Sequence, residues 1–153
     1  MSTWGHLSLA LPAQTAALPT IRRALGRWLL RAGVDKATSA DIVAAVWEVC
    51  ANAAEHPVDR RSDEIVVEAD ARPAVVCVSV RDSGHWHEHP ADTSRGFGLT
   101  MVNGLMDEVV IERGPGGTEV KMTRSLRRSD GSGRPTRRTA NAPPAPRAPE
   151  PDR

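Results

Sequence analysis

The chain has 153 residues, the length of one domain, and its hydrophobic content of 40% and charged content of 25% are ordinary for a globular protein. The net charge is only +1, because seven arginines and three acids after residue 126 offset a charge of −3 over residues 1–126. This balance gives no general case for nucleic-acid binding, and no apolar segment approaches the roughly 20 residues of a membrane span. We therefore expect a cytoplasmic protein that binds neither nucleic acid directly nor a membrane.

The first third of the chain predicts one strand and two helices. In HLSLALP every second residue is a leucine until the closing proline, which is typical of a strand with one buried face. TAALPTIRRALGRWLLRAGV carries apolar residues at helical spacing and ends near Gly33, a residue suited to a C-cap. DKATSADIVAAVWEVCANAAEHP predicts a second helix, with Ser39 or Asp41 near its start and Pro57 at its end.

The next part predicts four strands, one helix and one long loop. EIVVEADA and AVVCVSVRD have period two, FGLTMVNGLMD is a third helix, and EVVIERG and GTEVKMTRSL form a closing hairpin. Between them, SGHWHEHPADTSRG is irregular and polar, and long loops inside compact domains are usually functional. Cys50 and Cys77 both fall in apolar runs, so we expect two buried free thiols.

This order of elements predicts an α/β two-layer sandwich, with one mixed, mainly antiparallel sheet and helices on one face. The pattern stops at about Arg127, after which Pro, Gly, Ser and Arg dominate and six of the 12 prolines occur. Such a segment cannot bury enough apolar surface to fold. We therefore predict a folded domain at residues 1–126 and a disordered Arg/Pro-rich tail at residues 127–153.

Polar residues recur every four positions near the end of the second predicted helix, at Glu48, Asn52 and His56. Residues at this spacing share one helix face, with Cβ atoms about 5–6 Å apart. The amide oxygen of Asn52 suits a hard cation such as Mg²⁺, and the carboxylate of Glu48 can take a proton from an attacking hydroxyl or water. His56 could contact the same site or only cap the helix. A solvated polar stripe explains the spacing equally well.

Three further motifs contain glycine. Asp82 follows an apolar strand and Gly84 stands two residues later, so the carboxylate can accept from an exocyclic amine while a flat ring approaches the glycine, although Asp-Ser-Gly is also a common turn. Gly96 and Gly98 precede the third predicted helix, whose first N–H groups can cradle phosphate. The Gly-Gly pair before Thr118 by itself predicts only a hairpin.

The order and spacing of these four motifs resemble the ATP-binding fold shared by gyrase, histidine kinases and MutL, known as the GHKL or Bergerat fold. That family has an E-x-x-x-N helix, then D-x-G, a flexible lid, G-x-G-L opening a helix, and G-T on a strand. The matching segments here are EVCAN, DSG, SGHWHEHPADTSRG, GFGL and GGT. Within the family, WEVCANAAEH, the short domain and the short lid look most like the bacterial anti-sigma factor serine/threonine kinases of the RsbW and SpoIIAB type.

The resemblance implies a role for each residue of the motifs. Glu48 would be the general base, and Asn52 would hold Mg²⁺. Asp82 would bind the adenine amine beside Gly84, and Thr118 would complete the pocket. The phosphates of ATP would meet the remaining residues of the motifs, which are Arg95, Gly96, Gly98 and Leu99.

The same resemblance implies a kinase that uses ATP and Mg²⁺ to phosphorylate a STAS-type anti-sigma antagonist protein and that otherwise sequesters a sigma factor. Homodimers are usual among such proteins. The alternative is a catalytically weak module that holds ATP and acts only through partner contact. Glu48 favours the kinase, because a pure binder needs no base at that position.

The lid departs from the family pattern. The D-x-G motif is often extended to D-x-G-x-G, whereas here His85, Trp86, His87 and His89 follow Gly84. This difference bears on the mobility of the lid and on nucleotide turnover. The three alternating histidines could bind a metal, but a polar lid whose tryptophan shields a base is the better interpretation.

Overall fold

Apolar residues recur at two periods along the chain, and each period builds one layer of the fold. The computed structural model describes residues 5–55, 64–83 and 97–126, and these residues form the predicted two-layer α/β sandwich. The sheet has five strands: β1 His6–Pro12, β2 Glu64–Arg72, β3 Val75–Asp82, β4 Glu108–Gly114 and β5 Gly117–Ser125. A 3-10 turn at Thr15–Ala17 leads into the first of three helices: α1 Leu18–Arg31, α2 Lys36–Glu55 and α3 Phe97–Leu105.

The strands lie in the order β1-β2-β3-β5-β4. All four neighbouring pairs of the described strands are antiparallel, so the mixed component that we expected does not occur among them. Strand β5 is the last of the five in the sequence, yet it lies inside the sheet between β3 and β4. This order places Asp82 at the end of β3 opposite Thr118 at the start of β5.

The core between the layers is almost entirely aliphatic, as the aromatic content of 3% requires. Burial alternates along β2 and β3, so every second side chain faces the helices. The largest fully buried side chains from α1, α2 and the sheet include Ile21, Leu25, Leu29, Ile42, Val46, Ile65, Val76 and Met122. Each buried side chain of this size contributes about 1.5–3 kcal/mol of transfer free energy, which holds the layers together.

Backbone hydrogen bonds cap the C-terminal end of α1, and a side-chain hydrogen bond caps the N-terminal end of α2. Gly33 has a φ of 82°, and its N–H bonds to the Leu30 carbonyl at 3.1 Å while Val34 N–H bonds to the Leu29 carbonyl at 3.0 Å. This is a Schellman motif, and it confirms the predicted C-cap. Asp35 starts α2, because its Oδ1 accepts from Thr38 N–H at 2.9 Å.

Ser39 and Asp41 lie near the start of α2 as predicted, but the residue that caps the helix is Asp35. Ser39 is buried, and its hydroxyl donates to the Val34 carbonyl at 3.4 Å. Asp41 accepts from Arg124 at 3.0 Å. The other guanidinium nitrogen of Arg124, Nη1, donates to the Leu105 carbonyl at 2.6 Å, so one arginine of β5 joins the start of α2 to the end of α3.

The second face of the sheet is open among the described residues and carries exposed polar side chains. The prediction that both cysteines are buried is wrong for Cys77, which is exposed because it points to this open face. Cys50 is buried, which raises the pKa of its thiol to about 12, and both thiols are free as predicted. No helix in the described part of the chain is long and apolar enough to cross a membrane.

Two predictions fall outside the described residues. They are the lid from Gly84 onward and the disordered tail at residues 127–153. The division of the chain into a domain and a tail therefore stays a prediction.

The first testable prediction concerns the cap at Asp35. Hydrogen bonds from the side chain and backbone of Thr38 hold the pKa of Asp35 below its ordinary value of 3.8. Asp35→Ala should lower the free energy of unfolding by about 1 kcal/mol at pH 7, measured by urea unfolding, whereas Asp35→Asn, which still caps, should cost much less.

The pH dependence has a definite sign. Because folding lowers this pKa, the charge-dependent part of the cap is fully present above pH 3.8 and is lost as the pH falls through the lower pKa of the folded state. The difference between wild type and Asp35→Asn should shrink at low pH. Equal stability of wild type and Asp35→Ala at pH 7 would contradict the assignment.

Candidate functional site

A carboxylate and a hydroxyl are buried side by side at one end of the sheet. Asp82 is 5% exposed and Thr118 is 3% exposed, and they face each other across β3 and β5. Asp82 alternates in phase with Val80, and Thr118 with Val120, so both side chains face the helical layer. Burying a carboxylate is costly, and an aliphatic residue would fill this core position without that cost. The pair therefore marks a position suited to binding.

Gly117 fixes how closely the β4–β5 turn approaches this pair. Its φ is 123°, and a Cβ built on it would collide with the carbonyl oxygen of Asp82 and lie 2.6 Å from Ser83 Cα. Only glycine fits this contact of backbone against backbone. By contrast, a Cβ on Gly116 would meet nothing within 4 Å. The role of Gly117 was not predicted, although the Gly-Gly pair before Thr118 is its signal in the sequence.

A cavity of about 390 Å³ lies at the same end of the sheet. Its walls are the last two residues of β3, the last three of β4, and residues 116–119. This volume is within the range of small-molecule sites. The register also places Arg113 of β4 opposite Thr118, in the row that includes Asp82. Sequence reasoning missed Arg113, because its position depends on the strand order.

Glu48 and Asn52 lie on α2, which packs against β3 and α3. Both side chains are half-buried, and their neighbours Val49 and Ala53 are fully buried. A solvated polar stripe would be exposed, so the burial favours the alternative that these two residues serve a site. The structure thus carries the acid and the amide on a helix that contacts the strand ending at Asp82.

The glycine-containing segment before α3 is described only in part. Gly98 and Leu99 lie in the first turn of α3, where N–H groups have no partner within the helix, and Leu99 is half-buried. Helix α3 packs on α2, which brings the two predicted phosphate-site elements together. The other predicted site residues, Gly84, Arg95 and Gly96, lie outside the described residues together with His56 and the three lid histidines.

No group of three His, Cys, Asp or Glu side chains within residues 5–55, 64–83 and 97–126 is placed to hold a metal ion. A cation at Asn52 would therefore need further oxygen ligands from a bound molecule. Mg²⁺ usually binds in this way, through one or two protein oxygens together with phosphates and water.

The chain belongs to the histidine kinase-like ATPase domain family, whose model matches residues 11–124. It is similar to the structure of the RsbU and RsbW domains of Rv1364c from Mycobacterium tuberculosis, with 35% identity and a TM-score of 0.66 over 81% of this chain and 33% of that one. The resemblance inferred from the motifs is thereby confirmed.

A second solved structure shares the fold. It is a blue-light activated histidine kinase, EL346, from Erythrobacter litoralis, with 23% identity and a TM-score of 0.53 over 76% of this chain and 42% of that one. The chain spans less than half the length of either protein.

The contact at Gly117 yields a matched pair of substitutions. Gly117→Ala should lower the free energy of unfolding by about 1–3 kcal/mol from its backbone conformation alone, and the collision with Asp82 should add to this. Gly116→Ala should change stability little, because its Cβ has open space. Denaturant unfolding of both variants measures the difference, and equal stability would show that the turn does not press against Asp82.

Proposed function

We propose that the chain is an ATP-dependent protein kinase of the anti-sigma type. It transfers the terminal phosphoryl group of ATP to a serine or threonine of a STAS-type antagonist protein, and it binds a sigma factor when the antagonist is absent. The observation that supports nucleotide binding is the buried pair of Asp82 and Thr118. The backbone at Gly117 closes one side of this pair.

The carboxylate of Asp82 accepts a hydrogen bond from the exocyclic amine of adenine in this proposal. Guanine has a carbonyl oxygen at the equivalent ring position, so a carboxylate would face an acceptor and reject it. The hydroxyl of Thr118 lies across the strand pair and completes the polar edge of the pocket. Gly117, which has no side chain, allows the turn to close against Asp82.

The residues on the helices fit the phosphate end of ATP. Asn52 offers an amide oxygen for Mg²⁺, and the first turn of α3 offers N–H groups near Gly98 and Leu99. Bound Mg²⁺ would supply neutralisation of the phosphate charge. By the family resemblance, Arg95 and Gly96 complete this arrangement, and Gly84 lies beside Asp82 at the adenine.

Glu48 acts as the base. Its carboxylate takes the proton of the substrate hydroxyl as the oxygen bonds to the terminal phosphorus and the bond from that phosphorus to the ADP oxygen breaks. Its half-buried position on α2, one turn before Asn52, holds it on the face that carries the metal ligand. Positioning and charge stabilisation supply most of the catalysis in phosphoryl transfer, so this small set of groups suffices.

The partner assignment is supported by the 35% identity to the RsbU and RsbW domains of Rv1364c. Sigma factor and antagonist would both be met in the cytoplasm, and a homodimer is consistent with the family. The second candidate function is a module that binds ATP without transferring phosphate. The substitution of the second lid glycine by the segment His85 to His89 favours it.

Nucleotide binding can be tested by thermal shift. ATP with Mg²⁺ should raise the melting temperature, because a ligand that binds only the folded state stabilises it. Asp82→Asn should lose the preference for ATP over GTP, or lose binding. Glu108→Gln, which removes an exposed carboxylate on β4, is the control and should behave as wild type. No response of the wild type to millimolar ATP would refute the proposal.

Base and metal ligand can be separated by two substitutions on α2. Glu48→Ala should keep the affinity for ATP and lose phosphoryl transfer by roughly 10²–10⁴-fold, because a base acts only as the transition state forms. Asn52→Ala should lose the part of ATP affinity that depends on Mg²⁺. Glu55→Ala, which removes an exposed acid from the same helix, is the control.

The measurements are ATP affinity with and without Mg²⁺ and the transfer of labelled phosphate to candidate antagonist proteins. Transfer by Glu48→Ala at the wild-type rate would refute the role of this residue. If ATP binds but neither the wild type nor any variant transfers phosphate, the result would favour the module that only binds ATP.

A further inference from the structure

A groove with positive walls and an apolar floor lies between α1 and the first turns of α2. Its volume is about 370 Å³. Four cationic side chains line it: Arg22, Arg23, Arg27 and Lys36. Four apolar or small residues form the remaining surface: Gly26, Leu30, Ala40 and Val43. Ser39 is the other lining residue, so no acidic side chain lines the groove among the residues described.

The positive charge of this groove stands out from the rest of the domain. Residues 1–126 carry a net charge of −3, yet α1 has four arginines and no acid. Arg23 and Arg27 are four residues apart on an α-helix, so they repel each other at a small cost to stability. Arg22 lies over the ring of Trp47, 5.9 Å from its centroid, which positions the guanidinium without neutralising it. An acidic ligand would relieve the repulsion.

The floor selects among acidic ligands. Leu30 is 54% exposed, although it lies beside the apolar side chains of Ala40 and Val43. Gly26 adds no side chain to the floor, and a Cβ built on it would meet Val43 Cγ2 at 3.9 Å, an ordinary contact distance. An aliphatic side chain that covers this apolar surface gains binding free energy by removing it from water. A phosphate or a sugar has no such side chain. No aromatic residue lines the groove in the described chain, so it offers bases no stacking platform.

We propose that this groove, bounded by the Arg23 and Arg27 walls and the Leu30 floor, binds an acidic segment of a partner protein that inserts an aliphatic side chain. The inference deepens the proposed function, because it assigns a binding surface to a regulatory partner. The groove and the cavity beside Asp82 share no lining residue. The tail of this chain is not the occupant, because residues 127–153 carry seven arginines and three acids.

The groove shares a helix with the candidate catalytic residues. Lys36 and Val43 belong to the first half of α2, and Glu48 lies five residues beyond Val43, about 7.5 Å along the axis. A partner in the groove therefore lies near, but not in, the nucleotide pocket.

The test uses a designed 18-residue peptide of Glu and Leu at helical spacing, labelled for fluorescence anisotropy, and the full chain. It should bind, and more weakly at high salt because exposed charges are screened. A peptide with Gln in place of Glu, and one with Ser in place of Leu, should each bind at least about tenfold more weakly, a loss of about 1.4 kcal/mol. Equal binding of all three peptides would overturn the proposal.

Three substitutions locate the site, each with a reason to leave the fold intact. Arg23→Glu reverses an exposed wall charge, and its control is Arg72→Glu at the far end of β2. Leu30→Ser removes the exposed floor, and its control is Val110→Ser, whose side chain is 40% exposed on β4. Gly26→Leu fills the groove, its Cβ has room beside Val43, and leucine favours a helix over glycine.

The expected result is peptide affinity at least about tenfold weaker for the three groove variants and unchanged for the two controls. Unchanged affinity in the groove variants, or no peptide binding by the wild type, would overturn the proposal. Tighter binding of a single-stranded oligonucleotide or of vesicles containing phosphatidylserine would do so as well, and so would self-association in sedimentation that the three groove substitutions abolish. ATP affinity and phosphate transfer, measured on the same variants, report on the proposed function separately.

Discussion

The approach of Gly117 to the backbone of Asp82 and Ser83 is the constraint on which the candidate site depends. It sets where β5 begins, and the register of β5 then places Thr118 opposite Asp82 and Arg113 on the next strand of the same row. A side chain at position 117 would collide with the backbone of Asp82 and Ser83, so the turn would have to move. One backbone contact thus decides whether a buried carboxylate has a polar neighbour.

Helix α2 serves the core and the site at the same time. Its buried residues, among them Ile42, Val46 and Val49, pack on the sheet, while Glu48 and Asn52 are half-buried on the remaining surface. Two hydrogen bonds from Arg124 fix the start of α2 and the end of α3 relative to β5. The polar groups are therefore carried by elements whose positions the aliphatic core has already set.

Local patterns predicted every described helix and strand, because hydrophobic period and capping residues act over a few positions. They failed where distant residues decide the outcome. Strand order made Arg113 a neighbour of Thr118, and the open face of the sheet exposed Cys77. The extent of α2 was predicted from its start, but the capping role of Asp35 was not. Asp82 and Thr118 were predicted, but their burial side by side needed the register.

Glu48 and Asn52 lie on the same helix as Lys36 and Val43. Because an α-helix is rigid over this length, the two pairs of residues do not move independently. A displacement of Val43 would also displace Glu48, which lies about 7.5 Å along the axis. The hydrogen bonds of an α-helix transmit axial and rotational shifts over this distance. Any such coupling must be reciprocal: if a partner changes the affinity for nucleotide, nucleotide changes the affinity for that partner by the same factor. In a fold this small, a long helix shared by the two proposed sites would connect them without a further pathway.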